Sequence, residues 1–195
     1  MMQRRTILLL PFAAAACSSS APPRVFDALH YDYLDPLSLD VGVIDIDDHW
    51  RATSPNDVGD QSPARPVPSL VTMARDRLKP GGAAGRAVFT ITSASVIKTD
   101  DSLVGNFGTR VDIYDAGNTR VGYAEARVGR TRTGLGSRAE FTGLLYDFVK
   151  AMTDAMNVEL EFQVRHALKD LLATGANAPA LPAPVMQQTL APPKR

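Results

Sequence analysis

The chain predicts an α+β domain: an antiparallel sheet of about four strands with a short helix and a long C-terminal helix on one face, in β-α-β-β-β-α order. Three observations predict it. Strand-like alternation, rich in β-branched residues, recurs at 37–47, 87–99, 107–115 and 120–132, as half-buried strands require. Two other stretches, 69–79 and 139–172, carry apolar residues at three- and four-residue steps, the helical period. Three of the four strands are consecutive, which favours a meander with helices packed on one side.

The chain opens with Arg4 and Arg5, runs through uncharged Ile7–Ala16 and ends that run in small residues. A charged start, a short apolar core and a small-residue end are the parts of an export signal. The run is far short of the roughly 20 residues that cross a bilayer. Cys17, the one cysteine among 195 residues, follows directly. A lone thiol is odd for a soluble exported chain in an oxidising compartment. No disulfide can form within such a chain, so the fold relies on packing. Cleavage before Cys17 fits both an ordinary small-x-small signal and a cysteine that is acylated. Ser18–Arg24 reads as a tether. In Val25–Pro36 the alternation of Tyr31 and Tyr33 predicts an extended piece that lays its rings on the domain.

Leu37–Asp47 reads as the first strand, with a phase change near Gly42–Ile44 that a bulge, or burial on both faces, would explain. Asp48–Pro68 is a polar connection of about 20 residues, a length that is uncommon without a role or disorder. Ser69 is the expected N-cap of a helix reaching Lys79, with Leu70, Val71, Ala74 and Leu78 on its apolar face. Pro80-Gly81-Gly82 would stop it. In Ala87–Thr99, alternation places Phe89, Ile91 and Ile97 together. Phe107–Asp115 and Arg120–Arg132 read as a hairpin around Asp115–Thr119. Gly122, Ala124, Ala126 and Val128 share one face of its second strand, and their small side chains would let a helix approach closely.

Ala139–Leu172 is the strongest helical pattern, with Leu145, Val149, Met152, Met156, Leu160 and Val164 in its apolar row. Its length of about 50 Å at 1.5 Å per residue exceeds a small domain, so one end is expected to project, or the helix to bend near Asn157. The organisation predicted is a signal peptide at 1–16, a lipidated tether and extended segment at 17–36, one domain at 37–173 and an Ala/Pro-rich disordered tail at 174–195.

The chain holds 21 basic and 21 acidic residues. That balance gives no electrostatic case for nucleic acid. Removal of 1–16 would leave a net charge of −2. No G-x-S-x-G, H-E-x-x-H or P-loop pattern occurs. His30, His49 and His166 lie in separate contexts, and Met152 and Met156 read as core filler. Three constellations merit weighing. Asp45, Asp47 and His49 alternate, so a continuing strand would show two carboxylates and an imidazole on one face, a donor set for a divalent metal or a hydrolase. Their bland reading is a solvated strand end. Asn56–Asp60 offers oxygen ligands around Gly59 but lacks EF-hand spacing, so an Asx-rich turn is expected. Arg127, Arg130, Arg132 and Arg138 could meet anionic headgroups or an acidic partner. Alternation sends Arg127 to the face opposite Arg130 and Arg132, as on a solvated surface. No cofactor, metal ligand or catalytic residue is assigned.

Ala14-Ala15-Ala16-Cys17-Ser18-Ser19-Ser20 resembles a bacterial lipobox with its serine-rich continuation. Together with D-P-L-x-L-x-V at Asp35–Val41, R-D-R-L at Arg75–Leu78 and N-x-E-L-E at Asn157–Glu161, it resembles a group of uncharacterised Gram-negative outer-membrane lipoproteins. The element order is also similar to that of auxiliary lipoproteins of ABC-type envelope lipid-transport systems. The resemblance implies acyl chains on Cys17 as the lipidation site, and anchoring that two or more chains make stable. It also implies, through Ser18, the outer membrane with the domain facing the periplasm, and a non-enzymatic role beside an envelope protein or lipid partner. A structural tether between membrane and cell wall is a further expectation.

Overall fold

The computed structural model describes residues 24–173. The expectations for the signal at 1–16, for Cys17 and for the tail at 174–195 lie outside those residues. The described chain is α+β. A four-stranded sheet of order β2-β4-β5-β6 joins Val43–Asp47, Arg86–Lys98, Ser102–Tyr114 and Arg120–Thr133. Helices α1 (Pro66–Arg77) and α2 (Phe141–Ala167) belong to the core. A small parallel pair, β1 (Leu37–Leu39) with β3 (Leu78–Pro80), lies beside it.

The main sheet is mixed. β4, β5 and β6 form the expected antiparallel meander, whereas β2 pairs with β4 in parallel. A parallel neighbour needs a crossover of a dozen or more residues. The long polar connection and α1 supply it. Part of that connection lies along β4 past the end of β2: Val58 N–H donates to the Val96 carbonyl at 2.9 Å, and Lys98 N–H to that of Asn56 at 2.9 Å.

The single strand expected at 37–47 is two. The chain turns tightly at Asp40–Gly42, where Val41 N–H donates to the Leu39 carbonyl at 2.8 Å. β1 and β2 thus enter different sheets, which accounts for the phase change without a bulge. Gly82 packs there, and a Cβ on it would lie 2.7 Å from the Asp40 carbonyl carbon and 2.8 Å from Val41 N. The first helix begins earlier than Ser69. Arg65 is its N-cap, Pro66 and Pro68 occupy the first turn, and the Ser69 amide already donates to the Arg65 carbonyl at 3.0 Å. Proline suits a first turn because its missing N–H would have no helical partner there. The helix ends at Arg77, and the chain continues directly into β3.

A bulge between Ile91 and Ser93 shifts the phase of β4. Phe89, Ile91, Ala94 and Val96 are buried, and Ile97, expected beside Phe89, is displaced to the other face. The small-residue row of β6 does what its composition predicts. Ala124 and Ala126 are buried, and a Cβ on Gly122 would sit 2.8 Å from Leu171 and 3.0 Å from Leu168. α2 buries Leu145, Val149, Met152, Met156, Leu160 and Val164. Its 27 residues span about 40 Å. The long helix neither projects nor breaks at Asn157. A 3-10 turn at Lys169–Leu171 reverses the chain, and Ala173 N–H donates to the Ser38 carbonyl at 2.9 Å.

Candidate functional site

Residues 24–36 form a strap along α2, fastened at intervals. Arg24 reaches Asp147 with two guanidinium nitrogens, at 3.0 and 2.5 Å, and stacks over Phe26 and Tyr146. The hydrogen bond from Arg24 holds the Asp147 carboxyl below its ordinary value. The Tyr146 hydroxyl donates to the Asp27 carbonyl at 2.9 Å. Tyr31 is buried and donates its hydroxyl to Asp154 at 2.9 Å, while its amide donates to Asp76 at 2.8 Å. Burial, followed by the Asp154 bond, pushes the phenol far above its ordinary value. Only one of the two expected rings is laid down: a turn follows Tyr31 and leaves Tyr33 exposed.

The strap ends on Arg77, which is 1% exposed. Its Nε donates to Asn157 Oδ1 at 2.8 Å, Nη1 to the Asp35 carbonyl, and Nη2 to Glu161. Glu161 also accepts from Arg165 at 2.8 Å. The three sequence stretches that carry the family resemblance after the lipobox therefore meet at one buried guanidinium. This is a buried locking point, and it joins α1, α2 and the strap.

Away from the helices, the sheet presents an uncovered polar face. Asp112 accepts from Arg110 at 2.8 Å and Arg120 at 3.2 Å. Both arginines lie over Tyr123, and Arg86 lies over Tyr114 at 4.5 Å. Arg127 pairs with Glu125 at 2.6 Å. A shallow groove of about 320 Å³ crosses this face over Gly108 and Gly129, flanked by Thr92, Asn106 and Arg127. Among the described residues, no backbone hydrogen bond outside the β5 pairing reaches 121–133. The β6 edge is thus open over its whole length. On α2, Val158 and Phe162 are exposed, with the Phe162 ring stacked parallel on His166.

Cys17, the expected lipidation site, lies outside the described residues. The Asp45/Asp47/His49 face does not form as one donor set. β2 ends at Asp47, and His49 folds back so that its Nδ1 lies 2.6 Å from Asp47 Oδ1. That contact holds the Asp47 carboxyl below its ordinary value. Asp45 instead lies 3.9 Å from Arg86. Among the described residues no group of three or more His, Cys, Asp or Glu side chains converges as a metal site. Asn56–Asp60 is the expected Asx turn, with Gly59 N–H donating to Asp57 Oδ1 at 2.8 Å. Arg127 lies opposite Arg130 and Arg132 in the alternation, as expected. The Arg77 lock and the Tyr31–Asp154 latch escaped the residue-by-residue reading. Their sequence signals were the Tyr31/Tyr33 alternation, which placed the ring but not its partner, and the three quoted stretches, which supply Asp35, Arg77, Asn157 and Glu161.

No protein-family model matches the chain, and no curated protein matches it. Several solved structures are similar. A lipoprotein from Caulobacter crescentus shares 10% identity with a TM-score of 0.34, over 48% of this chain and 72% of that one. Uncharacterized lipoprotein B from Nitrosomonas europaea shares 13% identity with a TM-score of 0.36, over 67% of this chain and 87% of that one. A minor lipoprotein from Acinetobacter baumannii shares 11% identity with a TM-score of 0.27, over 63% and 94% respectively.

Proposed function

We propose that this chain is a lipoprotein of the Gram-negative envelope, held in the outer membrane by acyl chains on Cys17, with its domain facing the periplasm. Its role is non-enzymatic: it binds an envelope protein or lipid in envelope maintenance or lipid transport. The observation that carries the reading is the export signal that ends at the chain's one cysteine. The fold supports it through the strap. Arg24 is seven positions past Cys17, and seven extended residues reach at most about 25 Å. An anchor at Cys17 would keep the domain close to the bilayer, with Arg24–Asp147 as the first fixed point. The β6 edge and the adjoining flank of α2 are the contact surface, because an edge strand offers unpaired backbone groups.

Intact mass of the membrane-extracted protein tests the anchor. The expected species lacks residues 1–16 and carries diacylglyceryl and N-acyl groups on Cys17. A full-length mass, or a free thiol at Cys17, overturns it.

A further inference from the structure

The two sides of the sheet are managed differently. On one side the edge is short and broken: β2 covers Arg86–Thr90 of β4 with five residues, and 56–58 of the connection meet β4 again only at Val96–Lys98. β6 runs 14 residues without proline, and its charges, Arg120, Glu125, Arg127, Arg130 and Arg132, are of both signs, so they guard it against some registers and not others. We infer that the β6 edge pairs with the same edge of a second copy of this chain, antiparallel about a two-fold axis at Ala126, to give a continuous eight-stranded sheet. The inference deepens the contact-surface part of the proposed function and does not require the lipid anchor.

Charge favours one register: among axes from Ala124 to Val128, only Ala126 opposes Glu125 to Arg127. Directly opposed residues must share a face, because a one-residue slip sends side chains to opposite sides. An axis at Ala126 opposes Glu125 to the second copy's Arg127, and Arg127 to the second copy's Glu125. An axis at Glu125 or at Arg127 would oppose like charges, which destabilises an antiparallel pair. The matched stretch is Gly122–Arg130. Beyond it, Arg120 and Arg132 of the two copies would face each other, which limits its length.

The helix layer supplies an independent observation. Leu168 and Leu171 lie over Gly122, and Phe148 and Met152 lie over Gly105, the β5 partner of Arg130. Ala126 is midway between these points, so the middle of α2 lies over it. That middle carries Val158, 67% exposed, and Phe162, 60% exposed. They fall outside the sheet-facing row and outside the strap-facing set of Asp147, Asp154, Asn157 and Glu161. This exposed apolar pair on α2 is level with the axis; at 3.6 residues per turn Val158 points away from the sheet, and Phe162, on the flank away from the strap, is the member nearer its symmetry mate. A residue that meets its own counterpart across the axis is what an isologous contact requires.

The test is sedimentation of the mature chain in nonionic detergent across the micromolar range, with circular dichroism as the folding control. The expected result is a concentration-dependent dimer. Glu125→Arg and Arg127→Glu should each weaken it tenfold or more, because each creates two like-charge contacts. An equimolar mixture of the two variants should dimerise, since every opposed pair is then Arg with Glu. Phe162→Ser, at an exposed position, should also weaken the dimer and serves if a charge variant fails to fold. A monomeric wild type throughout the range, a dimer indifferent to all three substitutions, or folded charge variants that stay apart when mixed would each overturn the inference. Intact mass reports the anchor separately, so the two failures are distinguishable.

Discussion

Arg77 and Arg110 each lie against a carboxylate, one beneath α1 and α2 and the other on the uncovered face of the sheet. Arg77 is sealed from water, and its three donor nitrogens meet two side chains of α2 and one backbone carbonyl of the strap. Arg110 keeps about a third of its side chain in solvent and pairs with Asp112, two residues along the same strand. The buried group fixes how distant segments meet, since a buried charge without its partners is costly. Around the largely buried Asp112 the two arginines keep a third to a half of their side chains in solvent, so water can replace one of them, and the network orders a surface.

Substitutions at the two sites should separate these roles. Arg77→Ala should destabilise the domain by about 3–5 kcal/mol in urea unfolding, because it strands Asn157 and the Asp35 carbonyl. Arg120→Gln, on the open face, should change stability by about 1 kcal/mol or less. Equal costs would erase the distinction.

Glycine replacement sharpens the same contrast between the faces. A Cβ on Gly105 would lie 2.8 Å from Phe148, so Gly105→Val should cost about 1–3 kcal/mol by overpacking. Gly129→Ala meets nothing closer than 3.5 Å on the open face, and it should fall within about 0.5 kcal/mol of the parent. Both are read from unfolding midpoints.

Removing the strap's latch is a smaller perturbation. Tyr31→Phe should cost about 1 kcal/mol by deleting the bond to Asp154. The folded-state value of Tyr31 is raised above the ordinary 10.0. Its stabilisation is therefore complete below pH 10.0 and declines as pH rises above it. Tyr31→Phe should lack that alkaline decline in a stability-versus-pH series.

The smallest effect is expected at Arg24–Asp147, where both side chains are about half exposed. The folded-state value of Asp147 lies below the ordinary 3.8. The pair therefore stabilises the fold above pH 3.8 and loses that contribution as pH falls through the folded value. At such exposure solvent screening leaves the pair little net effect on stability. NMR titration should show the Asp147 carboxyl returning to its ordinary value in Arg24→Gln.

Much of the architecture was legible because it rests on local pattern. The strands of the meander, the apolar row of α2 and the small-residue row of β6 follow from period and side-chain size. The misreadings share a cause. The break at Asp40–Gly42 and the bulge beside Ser93 depend on which strand each segment meets, and single-segment alternation carries no such information. Ser69 looked like an N-cap because Pro66 and Pro68 were read as loop residues, although proline is welcome in a first turn. The Asp45/Asp47/His49 face presumed a strand that ends two residues too soon.

By itself the sequence determined the fold class and the faces of α2 and β6. These depend on composition and short-range period, which any chain writes in its own residues. Tertiary structure alone decided that β2 joins the sheet in parallel, that one buried guanidinium holds three segments separated by up to 126 positions, from Asp35 to Glu161, and that the sheet ends in a five-residue strand on one side and a fourteen-residue strand on the other. Those outcomes turn on which distant partners come to share a low-dielectric space, and no local pattern encodes that choice.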